Sequence, residues 1–84
     1  MDKIEVIKKI EEIVATIVNH HNFALTADSR PNEVAGWDSL ANAMIVKSIE
    51  KEMNIQFKFS DMMAWQSVGE LADIVIKKKD ETHI

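Results

Sequence analysis

Apolar residues recur at three- and four-residue steps from the start of the chain: Ile4, Ile7, Ile10, Ile13, Val14, Ile17 and Val18, with Lys8, Lys9, Glu11 and Glu12 between them. This period predicts an amphipathic helix with its apolar stripe on a core, and Asp2 stands where an N-cap belongs. Val6, Ile10, Ile13 and Ile17 also fit a heptad, but that run meets His20 and is too short for a coiled coil. Residues 20–38 hold no sustained period and contain Asp28-Ser29-Arg30-Pro31-Asn32 and Gly36. They read as one long loop, anchored by Phe23, Leu25 and Val34. Loops of this length in small domains are often functional.

A second helix is expected from Asp38 or Ser39 to Met53 or Asn54. At about 100° per residue, Ala43, Ile45, Val46, Ile49 and Met53 share a broad inward face. Leu40 and Met44 fall on the other side, beside Lys47 and Lys51. They are either a docking patch or scattered surface apolar residues, which are common. Ile55-Gln56-Phe57-Lys58-Phe59 alternates like a strand, but it has no partner strand and is read as an extended linker. Ser60 is expected to cap a short turn from Asp61 to Trp65, with Met62, Met63 and Trp65 closing one end of the core. Ser67-Val68-Gly69-Glu70 has the serine-to-glutamate spacing of a capping box. It opens a last helix with Leu71, Ala72, Ile74, Val75 and Ile76 as its apolar set. The predicted fold is therefore all-α, a small bundle of three main helices plus one short helix, with a long loop between the first and second. The whole chain, 1–84, forms one domain with its core in about 4–77 and a frayed tail over 78–84.

Composition narrows the function. With 84 residues, one domain is the sensible count. The absence of cysteine rules out a disulfide framework, a zinc knuckle and a thiol nucleophile. Met1-Asp2-Lys3-Ile4-Glu5 has neither the apolar run of a secretion signal nor that of a membrane span, so a cytoplasmic protein, monomeric by default, is expected. The net charge is −4, and the only basic run, Lys77-Lys78-Lys79, ends a helical pattern where lysines complement the helix dipole. Nucleic-acid binding has little support.

The chemistry concentrates in Gly36-Trp37-Asp38-Ser39-Leu40. A serine at a helix mouth presents a hydroxyl beside backbone N–H groups that favour negative charge, a suitable place for a phosphate-linked group. Aspartate and serine are also ordinary helix-start residues. As a catalytic nucleophile Ser39 would need a positioned base. The histidines are His20, His21 and His83, two adjacent near a helix end and one in the tail, which suggests no triad. Adjacent histidines do not face one metal ion from a helix, and no other ligand falls at metal-site spacing. Ala27-Asp28-Ser29 copies the local pattern, but Arg30-Pro31 follows it in place of a helix, so Ser29 reads as a turn residue. Trp37 and Trp65 read as aromatic core filler.

Gly36-Trp37-Asp38-Ser39-Leu40 resembles the Asp-Ser-Leu attachment motif of the acyl carrier protein family, and Ser67-Val68-Gly69-Glu70-Leu71 is similar to the start of that family's last helix. The order of helices and the spacing of the two motifs agree over about residues 4–77. The resemblance implies a carrier without catalysis of its own. Ser39 would accept 4′-phosphopantetheine from coenzyme A through a separate holo-carrier synthase, a phosphopantetheinyl transferase. Asp38 would cap the helix and help that synthase read the site. The arm's thiol would hold an acyl or aminoacyl thioester, supplied by a ligase and taken by downstream transferases. Leu40, Met44 and Lys47 are the expected partner contacts, and Val46, Met62, Met63 and Trp65 the expected lining of a cargo cleft. Carriers of the fatty-acid type present an acidic second helix to basic partners. Here Ala41, Asn42, Ala43 and Met44 follow the motif, with Lys47 and Lys51 beyond, which points to a specialised carrier with dedicated partners. The competing reading is a small helical interaction domain whose Ser39 stays unmodified.

Overall fold

The computed structural model describes residues 2–19 and 24–81. Among these residues four helices follow in order: α1 (Lys3–Val18), α2 (Ser39–Met53), α3 (Phe59–Met62) and α4 (Val68–Glu81), with a 3-10 turn at Pro31–Glu33 in the long first loop. No described residue is in a strand, so 55–58 is a linker, as the missing partner strand implies, while Phe59, expected to belong to it, opens α3.

α1 packs against both α2 and α4. Its core residues are Val6, Ile10, Ile13 and Val14. Ile4, placed in the apolar stripe by spacing, is instead 66% exposed, and Val6 takes the inward position one turn before Ile10. Asp2 caps the helix by accepting from the Ile4 N–H at 3.2 Å. α2 contributes Ala41, Ile45, Val46, Ile49 and Met53 to the buried set, while Ala43 faces solvent, against expectation. Ala43 lies at the margin of the apolar arc, and alanine gains little from burial. α4 contributes Val68, Leu71, Ala72 and Val75, with Ile74 and Ile76 half-buried against the cluster. It stays helical to Glu81, into the 78–84 segment expected to fray. Its last turn carries Lys78 and Lys79, as a helix C-terminus favours.

Both long connections start from a left-handed cap. Asn19 and Asn54 each have φ of 56°, and their N–H groups bond the carbonyls of Ala15 and Glu50. Asparagine tolerates this region and ends helices by it. Half-buried acids on the helices then hold the connections. The Glu11 carboxylate accepts the Leu25 N–H at 2.6 Å, and Glu50 accepts the Phe57 N–H at 2.8 Å. Leu25 is buried and Val34 half-buried, the anchoring roles expected of them; Phe23, the third expected anchor, lies outside the described residues, as do His20, His21 and His83.

α3 begins one residue before Ser60. Its cap is Lys58, whose N–H donates to Asp61 Oδ2 at 2.7 Å, so Ser60 sits inside the helix and does not cap it. Trp65 is buried and Met62 half-buried, but Met63 is 72% exposed and closes no core. In a helix of four residues the apolar side chains cannot all face one way at 100° per step. The capping box ahead of α4 forms as read. Ser67 Oγ accepts the Glu70 N–H at 3.3 Å, and Glu70 Oε1 accepts the Ser67 N–H at 3.1 Å. No described helix is long and apolar enough to cross a membrane.

Candidate functional site

The approach to Ser39 is built in three steps. First, Val34 to Trp37 forms a tight turn, with Trp37 N–H bonded to the Val34 carbonyl at 3.2 Å. The third residue of that turn, Gly36, has φ of +88°, a conformation that glycine adopts freely. Second, the turn delivers Trp37 into the core, where it is 6% exposed, tilted against Trp65 with ring centroids 6.3 Å apart. Its indole Nε1 donates to Asn42 Oδ1 at 2.9 Å, tying the loop to the first turn of α2. Third, Asp38 caps α2: Oδ1 accepts the Ala41 N–H at 2.8 Å, and its carbonyl accepts the Asn42 N–H at 2.8 Å.

Ser39 is the first residue of the fifteen-residue helix α2 and is exposed. Its hydroxyl makes no hydrogen bond to any described residue, and no described basic side chain is bonded to it. A nucleophile that attacks on its own needs such a base, and none of the described residues supplies one. The Ser39 and Leu40 N–H groups also find no acceptor among the described residues, as the first turn of a helix leaves them. A phosphodiester on Ser39 would meet these free donors and the positive end of the helix dipole. The residues present therefore fit a phosphate-linked group.

Leu40 is 74% exposed and Met44 51% exposed, on the outer side of α2 with Lys47 and Lys51. Of the residues expected to line a cleft, Val46 and Trp65 are buried, Met62 is half-buried, and Met63 faces solvent. Trp65 Nε1 is buried and finds no hydrogen-bond partner among the described residues. Ser29 is the turn residue its context implies. Its Oγ accepts the Thr26 N–H at 2.9 Å, and its carbonyl receives the Val68 N–H at 2.8 Å, so the second Asp-Ser pair holds α4 and heads no helix.

Two carboxylates near α4 have pKa values below the ordinary range. The Lys78 ammonium, 2.7 Å from Asp61 Oδ2, and the Lys58 N–H hold the Asp61 carboxyl down. The Gln66 and Ser67 N–H groups, followed by the Ser67 hydroxyl, do the same for Glu70. Both are structural anchors away from Ser39. Sequence reading found Glu70 from its capping spacing but missed Asn42, Glu11 and Glu50. Asn42 carries no local signal beyond being a polar residue in the turn after a buried tryptophan.

The family model for the phosphopantetheine attachment site matches residues 8–75. An acyl carrier protein from Cyanidium caldarium is 32% identical over 76 residues, covering 90% of this chain and 88% of the relative. The solution structure of the holo acyl carrier protein from Geobacter metallireducens superposes with a TM-score of 0.83 at 26% identity, covering 94% of this chain and 93% of that one. With the fold, the family match and an arm-compatible helix mouth in agreement, the chain belongs to the phosphopantetheine-attachment family as an acyl carrier protein, a carrier and not an enzyme, with 4′-phosphopantetheine as its prosthetic group.

Proposed function

We infer that Ser39 is the attachment residue and that the protein presents acyl or aminoacyl groups to the enzymes of a dedicated biosynthetic pathway in the cytoplasm. The observation that carries this reading is the state of Ser39, an exposed hydroxyl at the first position of α2 that, like the Ser39 and Leu40 N–H groups beside it, has no partner among the described residues. When bound, the arm supplies the thiol on which cargo rides as a thioester; the chain itself has no cysteine. Ser39 anchors the arm. Asp38 fixes the helix start beside it and gives the transferase a carboxylate to read. The transferase brings the base, since no described side chain bonds the Ser39 hydroxyl. Leu40, Met44 and Lys47 are the partner contacts on the outer side of α2. Val46, Met62, Met63 and Trp65 are assigned to the cargo cleft; Val46 and Trp65 are buried, Met62 is half-buried and Met63 is exposed.

Incubation with coenzyme A and a broad-specificity phosphopantetheinyl transferase, followed by intact-mass measurement, tests the assignment. The expected result is the gain of one phosphopantetheine by the wild type and by Ser29→Ala, and no gain by Ser39→Ala. A gain that survives Ser39→Ala, or no gain at all, refutes it. In the second case the small interaction domain becomes the better reading.

A further inference from the structure

The outer side of α2 has a charge sign opposite to that of the protein as a whole. At about 100° per residue, Leu40, Met44, Lys47 and Lys51 fall within a sector of roughly 60°, and all four are exposed. Residues 39–49 contain no carboxylate. The two acids of α2 lie off the stripe. Glu50 is half-buried and accepts the Phe57 N–H. Glu52 lies on the opposite flank, where it lines a groove with Glu12 and Thr16 of α1. Asp38, at the head of the helix, has its Oδ1 on the Ala41 N–H. Lys47 and Lys51 pair with no described carboxylate. They border an open groove of about 520 Å³ with Glu50, Asn54, Ile55 and Gln56. A chain of net charge −4 thus carries, next to Ser39, an apolar pair followed by two cations that pair with no described carboxylate.

We propose that this stripe docks enzymes whose own contact face is apolar at its centre and acidic at its rim. The proposal rests on Ser39 as the attachment residue and names the chemistry of what reaches it. Any enzyme that acts at Ser39 covers its helical neighbours, and Leu40 and Met44 give such an enzyme apolar area to bury. Lys47 and Lys51 then sit one to two turns further along, at the edge of the contact, where charges set the encounter rate and reject wrong partners. A basic rim would meet two unpaired ammonium groups and the positive end of α2; an acidic rim complements both.

The test uses the full chain and one probe, a broad-specificity phosphopantetheinyl transferase prepared in two forms. One carries glutamates around the apolar socket next to its active site, the other lysines. The kcat/KM for loading Ser39 is measured against salt. The expected result is about tenfold faster loading by the acidic-rim form at low ionic strength, with a preference that fades as salt is raised. Lys47→Glu/Lys51→Glu should reverse the preference, and Lys47→Gln/Lys51→Gln should abolish it. Leu40→Ala/Met44→Ala should slow both forms without changing their ratio. Equal rates for the two forms, or faster loading by the basic one, overturn the proposal while leaving Ser39 assigned. Absence of loading by either form removes the assignment and the proposal together. Vesicles of phosphatidylcholine with phosphatidylglycerol form a second arm. Sedimentation with them that is lost in Lys47→Gln/Lys51→Gln means the stripe reads a lipid surface, which also overturns the proposal.

Discussion

Gly69 donates its backbone N–H to the Ala27 carbonyl at 2.9 Å, and a Cβ built on Gly69 would lie 2.8 Å from that oxygen and 2.9 Å from the Ala27 Cβ. The first turn of α4 is therefore pressed directly onto the backbone of the long loop, with the Val68 N–H bonded to the Ser29 carbonyl beside it. Two donors that a helix start leaves open are satisfied this way. The loop that ends at Ser39 is thus fixed at its far side by α4 and at its near side by Trp37.

Gly69→Ala measures this contact. By helix propensity alone the change should stabilise by up to about 1 kcal/mol. The clash is with backbone and a Cβ, which cannot rotate away, so the loop must move and weaken both hydrogen bonds. Overpacking of this kind costs about 1–3 kcal/mol, and the expected net is a loss of about 1–2 kcal/mol in urea unfolding. A more stable variant would show that the loop gives way freely.

The two anchored acids set the behaviour in acid. Asp61 and Glu70 have folded-state pKa values below their ordinary ones. Their contribution is complete above the unfolded value, near pH 4, and is lost as pH falls through the folded values, because the unfolded chain binds the proton first. The urea midpoint of the wild type should drop on going from about pH 5 to about pH 3. Asp61→Asn/Glu70→Gln should start lower and show a shallower drop over the same range. Parallel curves would mean that other carboxylates govern acid unfolding.

What the sequence makes legible here is local. The start of α2 follows from Asp38-Ser39 ahead of a 3.6-residue period, and the start of α4 from the spacing of Ser67 and Glu70. Both reports come from residues within one turn of each other. The contacts of Glu11 with Leu25, Glu50 with Phe57 and Gly69 with Ala27 join residues far apart or across a loop, and no periodicity encodes them. The phase of α1 illustrates a second limit. Isoleucine and valine occur on enough of its surface that spacing admits Ile4 or Val6 as the inward residue, and only packing against α2 and α4 selects Val6. α3 is too short for its period to place Met63.

Asp38 has two roles that substitution separates. Its side chain caps α2 through the Ala41 N–H, and its charge is proposed as a mark for the transferase. Asp38→Ala should lower stability by about 1 kcal/mol, and Asp38→Asn, an equally good cap, should recover most of that loss. Loading of Ser39 should be slow in both variants if the carboxylate is read directly. Loading that recovers with Asn would assign Asp38 to the cap alone. Thermal melts and intact-mass time courses on the same samples give both readouts.

The two tryptophans differ in a single bond, and this predicts different costs for the same substitution. Trp37 and Trp65 are both buried, 6% and 9% exposed, and pack against each other. Trp37 Nε1 donates to Asn42, while Trp65 Nε1 is buried with no partner among the described residues. Tryptophan to phenylalanine removes similar volume at each site. At Trp37 it also removes a hydrogen bond, worth about 1 kcal/mol net, and at Trp65 it removes an unsatisfied N–H that costs about 1–3 kcal/mol to keep dry. Trp37→Phe should therefore destabilise by about 2–4 kcal/mol more than Trp65→Phe. Asn42→Ala should couple to Trp37→Phe in a double-mutant cycle and be additive with Trp65→Phe. Because the Trp37–Asn42 bond ties the loop to the first turn of α2, Trp37→Phe should also slow Ser39 loading, whereas Trp65→Phe should leave it unchanged. Equal unfolding costs at the two sites would mean that Trp65 Nε1 finds an acceptor in solution.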